Sequence, residues 1–388
     1  MVEKNSSTIK KITVIHFASW YPTANNPLLG IFIQKHLQLL QNEIKQAVVF
    51  FNISNNHKKN IEVIFTSSPI NQIEIRVKKI FLLKYFFIVI GFIKSILVFH
   101  KKIGKPTLIH LHVILPLAPL VLIYKKISGL SLVFTEHWTG YQDEDGSYKG
   151  FFKKFFTQQL VKNAQAGITV SKHLAQTMHQ KKLHFKSLVI SNAVDITIFK
   201  PLYNDKKPHQ FIHISSFDER QKNVTKIIKA FKRVVEYNPD IELLLVGPLE
   251  SANHLQSIIN QLSLQKNVHL IGKLYNQALA EKLSESAALI LFSNYENQPV
   301  VVLESLCCGT PIITTPVGSL PEIITNENGI LISVNNEIEL SKAIIDVYEN
   351  YKNFNPQKIR ESILTILNPE TIKQQHLHLY NQVINQHD

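Results

Sequence analysis

The chain has 388 residues, 45% hydrophobic and 18% charged, which excludes a disordered polymer and predicts two domains, each able to bury its own core. The charge is uneven: residues 1–190 carry 25 Lys+Arg against 8 Asp+Glu, net +17, and the remainder nets −4. A basic half implies an anionic partner, whether nucleic acid, a phospholipid surface or an anionic substrate, and two adjacent cysteines, Cys307 and Cys308, exclude a disulfide framework and fit a reducing compartment.

In chain order, residues 12–19 read as a first strand and not a targeting sequence, because His16 and Trp20-Tyr21-Pro22 break the apolar run. Helical spacing follows over 31–43, with Ile31, Ile33, His36, Leu37 and Leu40 on one side. Strands are predicted at 48–53, 108–114, 131–136, 166–170 and 189–190, with helices at 116–127 and 172–179. A polar stretch at 204–208 is the expected linker. The alternation then restarts, with strands at 211–215, 241–246, 268–271, 288–292 and 312–315. Helices lie between them at 224–237, 253–264 and 277–286, and two more, 338–352 and 369–385, close the chain. Two doubly wound α/β domains, 1–203 and 204–388, with a cleft between them, account for this order.

Segment 80–99 is the most lipophilic, and long enough to span a bilayer. Lys84 and Lys94 argue against a span, and Lys78, Lys79, Lys101 and Lys102 flank both ends, so neither side is the positive one. The expected form is a helix in the membrane interface, partly packed on its domain; the alternative is a buried core helix.

Between 294 and 311, Glu296 and Glu304 frame an apolar run that opens at Pro299 and closes at Gly309-Thr310-Pro311. Proline suits a helix start and glycine-x-proline a helix stop, which puts Glu296 in the loop before a short helix and Glu304 within it. The free N–H groups of that start, at Val300 and Val301, can hold an anion beside a carboxylate poised for hydroxyls.

Five ordered motifs together resemble the retaining family-4 type glycosyltransferases. They are Ser19-Trp20-Tyr21-Pro22 with Gly30, Ala166–Ser171, Asn192-Ala193-Val194-Asp195 with Phe199-Lys200-Pro201, Glu296-x7-Glu304, and Val317–Glu322. The resemblance spans roughly 12–332 and implies a GT-B fold, two Rossmann-like domains facing across a cleft. Residues 1–203 would bind the acceptor and 204–388 the nucleotide sugar, and helix 369–385 could pack back on the first domain. Lys222 matches the family lysine on the diphosphate, Glu304 would bind ribose hydroxyls, and Glu296 the transferred sugar. His137 matches the histidine beside sugar and acceptor, with Glu136 a weaker partner, and Gly30 the loop glycine that lets backbone approach.

Two departures stand out. Ser215-Ser216 replaces the usual Gly-Arg before the lysine, so Arg220, the Ser216 hydroxyl and backbone N–H groups are expected to serve the phosphates. Asn297-Gln298-Pro299 replaces the commoner Gly-Phe-Gly, which makes Asn297 and Gln298 donor-pocket candidates.

The implied activity moves a sugar from a nucleoside diphosphate to a glycan or lipid-linked acceptor, in surface polysaccharide or lipopolysaccharide synthesis at the cytoplasmic face of the membrane. No cofactor or metal is expected. His110 and His112 alternate on one strand face but show no third ligand, and Asp143-Glu144-Asp145 reads as an exposed acidic loop. A nucleotide-sugar epimerase of the same architecture is one alternative. A basic nucleic-acid- or membrane-binding protein without catalysis is another, although no nucleic-acid motif is present and nucleic acid is not an expected partner.

Overall fold

The computed structural model describes residues 12–202 and 206–386. The N-terminal half runs β1 (Thr13–Ala18), α1 (Ile31–Leu40), β2 (Lys45–Ser54), β3 (Ile61–Thr66), β4 (Gln72–Lys78), α2 (Leu83–Lys102) and β5 (Leu108–His112). It continues with α3 (Ala118–Ser128), β6 (Ser131–Glu136), α4 (Phe151–Asn163), β7 (Ala166–Thr169), α5 (Lys172–Gln180) and β8 (Ser187–Val189). The second half runs β9 (Lys207–Ile214), α6 (Glu219–Lys222), α7 (Val224–Tyr237), β10 (Glu242–Val246), α8 (Asn253–Gln261), β11 (Val268–Ile271) and α9 (Asn276–Glu285). After these come β12 (Ser286–Leu291), α10 (Val300–Cys307), β13 (Ile312–Thr314), α11 (Leu320–Ile323), β14 (Gly329–Leu331), α12 (Glu337–Asn350), α13 (Pro356–Leu367) and α14 (Pro369–Asn385).

The first sheet has the order β3-β4-β2-β1-β5-β6-β7-β8, parallel except that β3 pairs antiparallel with β4. The second has the order β11-β10-β9-β12-β13-β14 and is parallel. Each is doubly wound. The chain leaves β1 for β2 on one side and later places β5 on the other, and β9 sits likewise between β10 and β12. Such a switch point opens a crevice at the carboxyl ends of the strands. The central strands are buried on both faces, as β1 and β12 are along their whole lengths, because helices cover both sides.

Local sequence explains the helices. In α7, Val224, Ile227, Ile228, Phe231 and Val234 repeat at helical spacing and fill the second core. Ser171 caps α5, its hydroxyl accepting from Leu174 N at 3.0 Å. Asn368 caps α14 from the side, with Pro369 at the first helical position. That last helix crosses back. Its Ile372, Leu379, Tyr380 and Val383 join Val14, Leu108 and Val133 of the first domain in one apolar cluster.

Two details differ from the sequence reading, and one of its alternatives is excluded. Helix α1 stops at Leu40, three residues short of the expected end. The linker expected over 204–208 lies partly outside the described residues, and its far end is anchored, because β9 already begins at Lys207. The Lys206 ammonium is buried there and donates to Thr310 Oγ1 at 2.8 Å and to the carbonyls of Ser284 and Ser286, and burial lowers its pKa to about 8. Helix α2 is not a buried core helix. Gly91, Phe92, Ser95 and Phe99 pack inward, whereas Leu82, Phe86, Val89, Ile93 and Leu97, spaced by three and four residues, face outward. Gly91 is where α2 meets the sheet, since a Cβ there would lie 2.4 Å from the Ile75 side chain.

Candidate active site

The carboxyl edges of the two sheets meet around the loop that precedes α10. Pro299 caps that helix, and the first-turn N–H groups at Val300 and Val301 have no intrahelical acceptor. Glu296, buried in the loop, accepts from Ser293 Oγ at 2.8 Å, from Gln221 Nε2 at 3.3 Å and from the Lys222 ammonium. The two residues expected to serve the transferred sugar and the diphosphate are therefore side by side and neutralise each other.

Glu304 is buried on α10 and accepts from Lys35 Nζ of α1 at 3.2 Å, across the cleft. Burial pushes its carboxyl above the usual range, and Lys35 opposes that rise. Lys35 also lies over the Phe199 ring, 5.6 Å from its centre. It sits outside every motif of the sequence; its only signal there is its place on the helix that follows Gly30.

Gly30 caps α1 with φ 68°, and a Cβ would lie 2.5 Å from the Trp20 carbonyl oxygen, so the close approach is made to the chain's own backbone. Gly318 is a stronger requirement. Its φ is 59°, and a Cβ would lie 2.2 Å from the Glu296 carbonyl oxygen and 2.6 Å from that of Asn297. It presses the 317–320 turn onto the donor loop, with Ser319 N donating to Asn297 O at 2.8 Å.

Asn297 and Gln298 face the first domain. Asn297 Nδ2 donates to the His137 carbonyl at 2.6 Å, and its Oδ1 accepts from Gln142 Nε2 at 2.8 Å. Gln298 Oε1 accepts from Asn192 N at 2.7 Å and Ser191 Oγ at 3.1 Å, and its carbonyl accepts from Asn192 Nδ2 at 3.0 Å. Expected as donor-pocket groups, both side chains instead bind the domains together. Glu322 adds a third tie, its carboxylate accepting from His173 N at 2.8 Å at the start of α5.

On the phosphate side, Ser215 is engaged within its own domain. Its hydroxyl is occupied by His213 Nε2 at 2.8 Å and accepts from Phe217 N at 3.0 Å. His213 Nδ1 faces the Ile290 carbonyl at 2.9 Å and so carries the proton, and burial lowers its pKa to about 4. Ser216, in the loop after β9, and Arg220, on α6, are exposed, and Asn294 Nδ2 donates to the Arg220 carbonyl at 2.8 Å, tying α6 to the Glu296 loop.

His137 follows β6 at the facing edge. It is buried, and neither ring nitrogen has a hydrogen-bond partner within the described residues. Burial drives its imidazole well below the usual pKa, helped by His36 and opposed by the Asn192 side chain, so the ring, packed 4.2 Å from that of Phe32, is held neutral. Glu136 does not share that role. Its oxygens accept from His137 N at 2.8 Å, Trp138 N at 3.0 Å, Tyr141 Oη at 2.9 Å and Ile114 N at 3.2 Å, which fixes the loop that carries His137. Asp145 is not exposed either; it is buried, and accepts from Thr139 Oγ1 at 2.5 Å and Ser147 N at 3.1 Å.

Behind His137 lies a cluster of buried histidines that the sequence showed only as His110 and His112. His16 supplies a third ring, and ligand nitrogens of the three lie within 4.8 Å of one another, the one group here that could hold a cation among the described residues. Hydrogen bonds already occupy most of them. His16 Nδ1 meets His112 Nε2 at 3.0 Å, and His110 meets Tyr380 Oη and Thr135 Oγ1, both at 2.7 Å. His376 Nε2 meets His36 Nδ1 at 3.2 Å, and the His36 and His137 rings lie 6.4 Å apart.

Two family models match in series, Glycosyltransferase Family 4 over residues 38–198 and Glycosyl transferases group 1 over 194–362. The chain belongs to the family-4 type glycosyltransferases. Among its relatives is the N-acetyl-alpha-D-glucosaminyl L-malate synthase of Bacillus anthracis, 30% identical over 195 residues that cover 49% of this chain and 50% of that enzyme. The chain spans about half the length of curated relatives it matches, 41% of one and 50% of another. Among solved structures, a sucrose-phosphate synthase from Thermosynechococcus elongatus superposes with a TM-score of 0.78 at 20% identity, covering 96% of this chain and all of that one. HepE of Anabaena, solved with UDP, gives 0.75 at 15% identity, again over 96% and 100%. These likenesses show the GT-B arrangement of two Rossmann-like domains.

Proposed function

We propose that this family-4 type glycosyltransferase is a retaining enzyme that moves a sugar from a nucleoside-diphosphate sugar to a hydroxyl of a glycan or lipid-linked acceptor. The convergence of Lys222, Glu296, Glu304 and the α10 start on one cleft opposite His137 carries this reading. In the reaction, negative charge grows on the departing diphosphate and the sugar becomes oxocarbenium-like, so the site's task is to stabilise the leaving anion and hold the acceptor in place. Lys222 and the N–H groups of Val300 and Val301 take the phosphates, with Arg220 and Ser216 at the rim of the same loop. Glu304 takes the ribose hydroxyls, Glu296 the sugar hydroxyls, and neutral His137 lies against sugar and acceptor. These groups supply the charge stabilisation without a metal or other cofactor.

The same reading places the enzyme on the cytoplasmic face of the membrane, in cell-surface polysaccharide or lipopolysaccharide synthesis. Its support is the net charge of +17 over residues 1–190 and the outward apolar stripe of α2. The test is twofold. Purified enzyme with UDP-, GDP- and ADP-sugars should release nucleoside diphosphate only when acceptor is added, and NMR of the product should show the donor's anomeric configuration. Free sugar released without acceptor would instead mean an epimerase-type reaction. Flotation with anionic liposomes should recover wild type well and a Lys-to-Glu variant of the 78–102 flanks poorly; equal recovery counts against the membrane assignment.

A further inference from the structure

A cavity of about 610 Å³ opens between α2 and α3, within the range of about 300–1,000 Å³ typical of small-molecule sites. Phe51, Ile53, Tyr85, Ile88, Leu117 and Leu120 give it apolar walls. Lys79 and Lys84 also line it, and neither has a carboxylate partner among the described residues. At one end stands Ser19, whose buried hydroxyl has no partner there, and whose N–H donates to the His112 carbonyl at 3.0 Å. That end therefore lies on the carboxyl edge of β1 and β5. The next strand in the sheet, β6, delivers His137 from the same edge.

The surroundings specify an anion with an apolar tail. Residues 75–135 hold ten Lys+Arg and no Asp or Glu. Outside the cavity mouth, Phe81, Leu82 and Phe86 are at least 60% exposed, and on α4 Phe151 and Phe152 are more than 70% exposed. Apolar walls without polar partners suit a hydrocarbon chain, and an unpaired lysine pair suits a phosphate.

We propose that the cavity between α2 and α3 seats the hydrocarbon chain of a phosphorylated lipid acceptor, with Lys79 and Lys84 on its phosphate and its glycosyl-accepting end directed along the strand edge toward His137. The inference rests on the transferase reading and names the class of acceptor for that site.

Farnesyl phosphate below its micellar concentration is the probe, with farnesol as the uncharged control, both measured by calorimetry. Wild type should bind farnesyl phosphate. Leu120→Trp, and Val89→Trp at the cavity mouth as a second filling variant, should each weaken both ligands at least tenfold. Lys79→Glu with Lys84→Glu should weaken farnesyl phosphate at least tenfold and leave farnesol unchanged. Phe86→Ser, on the outer stripe, should lower recovery on phosphatidylglycerol vesicles without changing farnesyl phosphate affinity. UDP or GDP affinity, unchanged in every variant, reports that the fold and donor site are intact. Unaltered farnesyl phosphate binding in both filling variants would overturn the cavity assignment, as would its loss in Phe86→Ser alone, which means surface adsorption only. Nucleotide binding without farnesyl phosphate binding sinks this inference alone, and farnesyl phosphate binding without nucleotide binding sinks the transferase reading.

Discussion

The two domains share one architecture and build their halves of the cleft in different ways. The second domain uses one polar loop and two short helices: Glu296 stands in the loop before α10, Lys222 ends α6 and Glu304 lies on α10, each charge met by a partner. The first domain instead places one neutral His137 near buried imidazoles, its own His16, His36, His110 and His112 with His376 of the returning helix α14, and leaves much of its outer helical surface apolar and basic. A nucleotide diphosphate is a fixed, highly charged object that a few placed charges can hold, whereas an acceptor with a long tail needs area and an uncharged interior. On the proposed reading, charge placement would mark the donor side and composition the acceptor side.

Acid should separate the halves most strongly. The six imidazoles are held neutral by burial, with pKa lowered to about 3 at His16, about 4 at His36 and well below the usual value at the other four. Their folded pKa values lie below the unfolded value of about 6.5, so the unfolded chain binds more protons, and stability present above that pH is lost as pH falls. Each imidazole steepens the loss by up to about 1.4 kcal/mol per pH unit. Apart from His376 on the returning helix, the second domain has one comparable imidazole among the described residues, His213. Thermal denaturation from pH 7 to 5 should show the first domain failing first; parallel loss in both domains would contradict the contrast.

Glu296→Ala should lower turnover by about 10²–10³, close to 3–4 kcal/mol, because it removes the proposed sugar contact and leaves Lys222 uncompensated. Steady-state kinetics would show this chiefly in kcat. Gly318→Ala should cost about 3 kcal/mol, since both its positive φ and its contact with Glu296 oppose a Cβ. Gly129→Ala, at the α3 end of the first domain with φ 69° and open space around it, should cost about 1 kcal/mol. Melting curves of the pair compare a glycine held by contact with one held by conformation alone.

Gln298→Ala should cost about 1–2 kcal/mol by leaving Asn192 N without its acceptor. The loss should appear as weakened coupling between domains, seen as two melting steps in calorimetry where wild type shows one.

Most of the parallel sheets was legible because buried strands and amphipathic helices alternate at regular spacing, as in α7 and β12. The α4 segment was not, since Phe151, Phe152, Phe155 and Phe156 put apolar groups on several sides of one helix and blur its period. The β3–β4 hairpin went unread although its strands alternate, because it precedes the more conspicuous greasy segment. At the site, Glu296 and Glu304 were visible from the helix start and stop between them, and Lys222 from the family resemblance. Lys35, Gln142 and the tying roles of Asn297 and Gln298 were not, because they depend on which surfaces of two separately folded sheets face each other. His16 was equally hidden, since only the register of β1 beside β5 brings it to His110.

The central claim is that the cleft holds a nucleoside diphosphate between Lys222, Glu304 and the start of α10. A thermal-shift screen of UDP-, GDP- and ADP-sugars against wild type, Lys222→Ala and Glu304→Ala tests it most directly. One nucleotide should raise the wild-type melting temperature in a dose-dependent way, and that rise should vanish in both variants. No shift with any nucleotide, or an undiminished shift in both variants, would contradict the account.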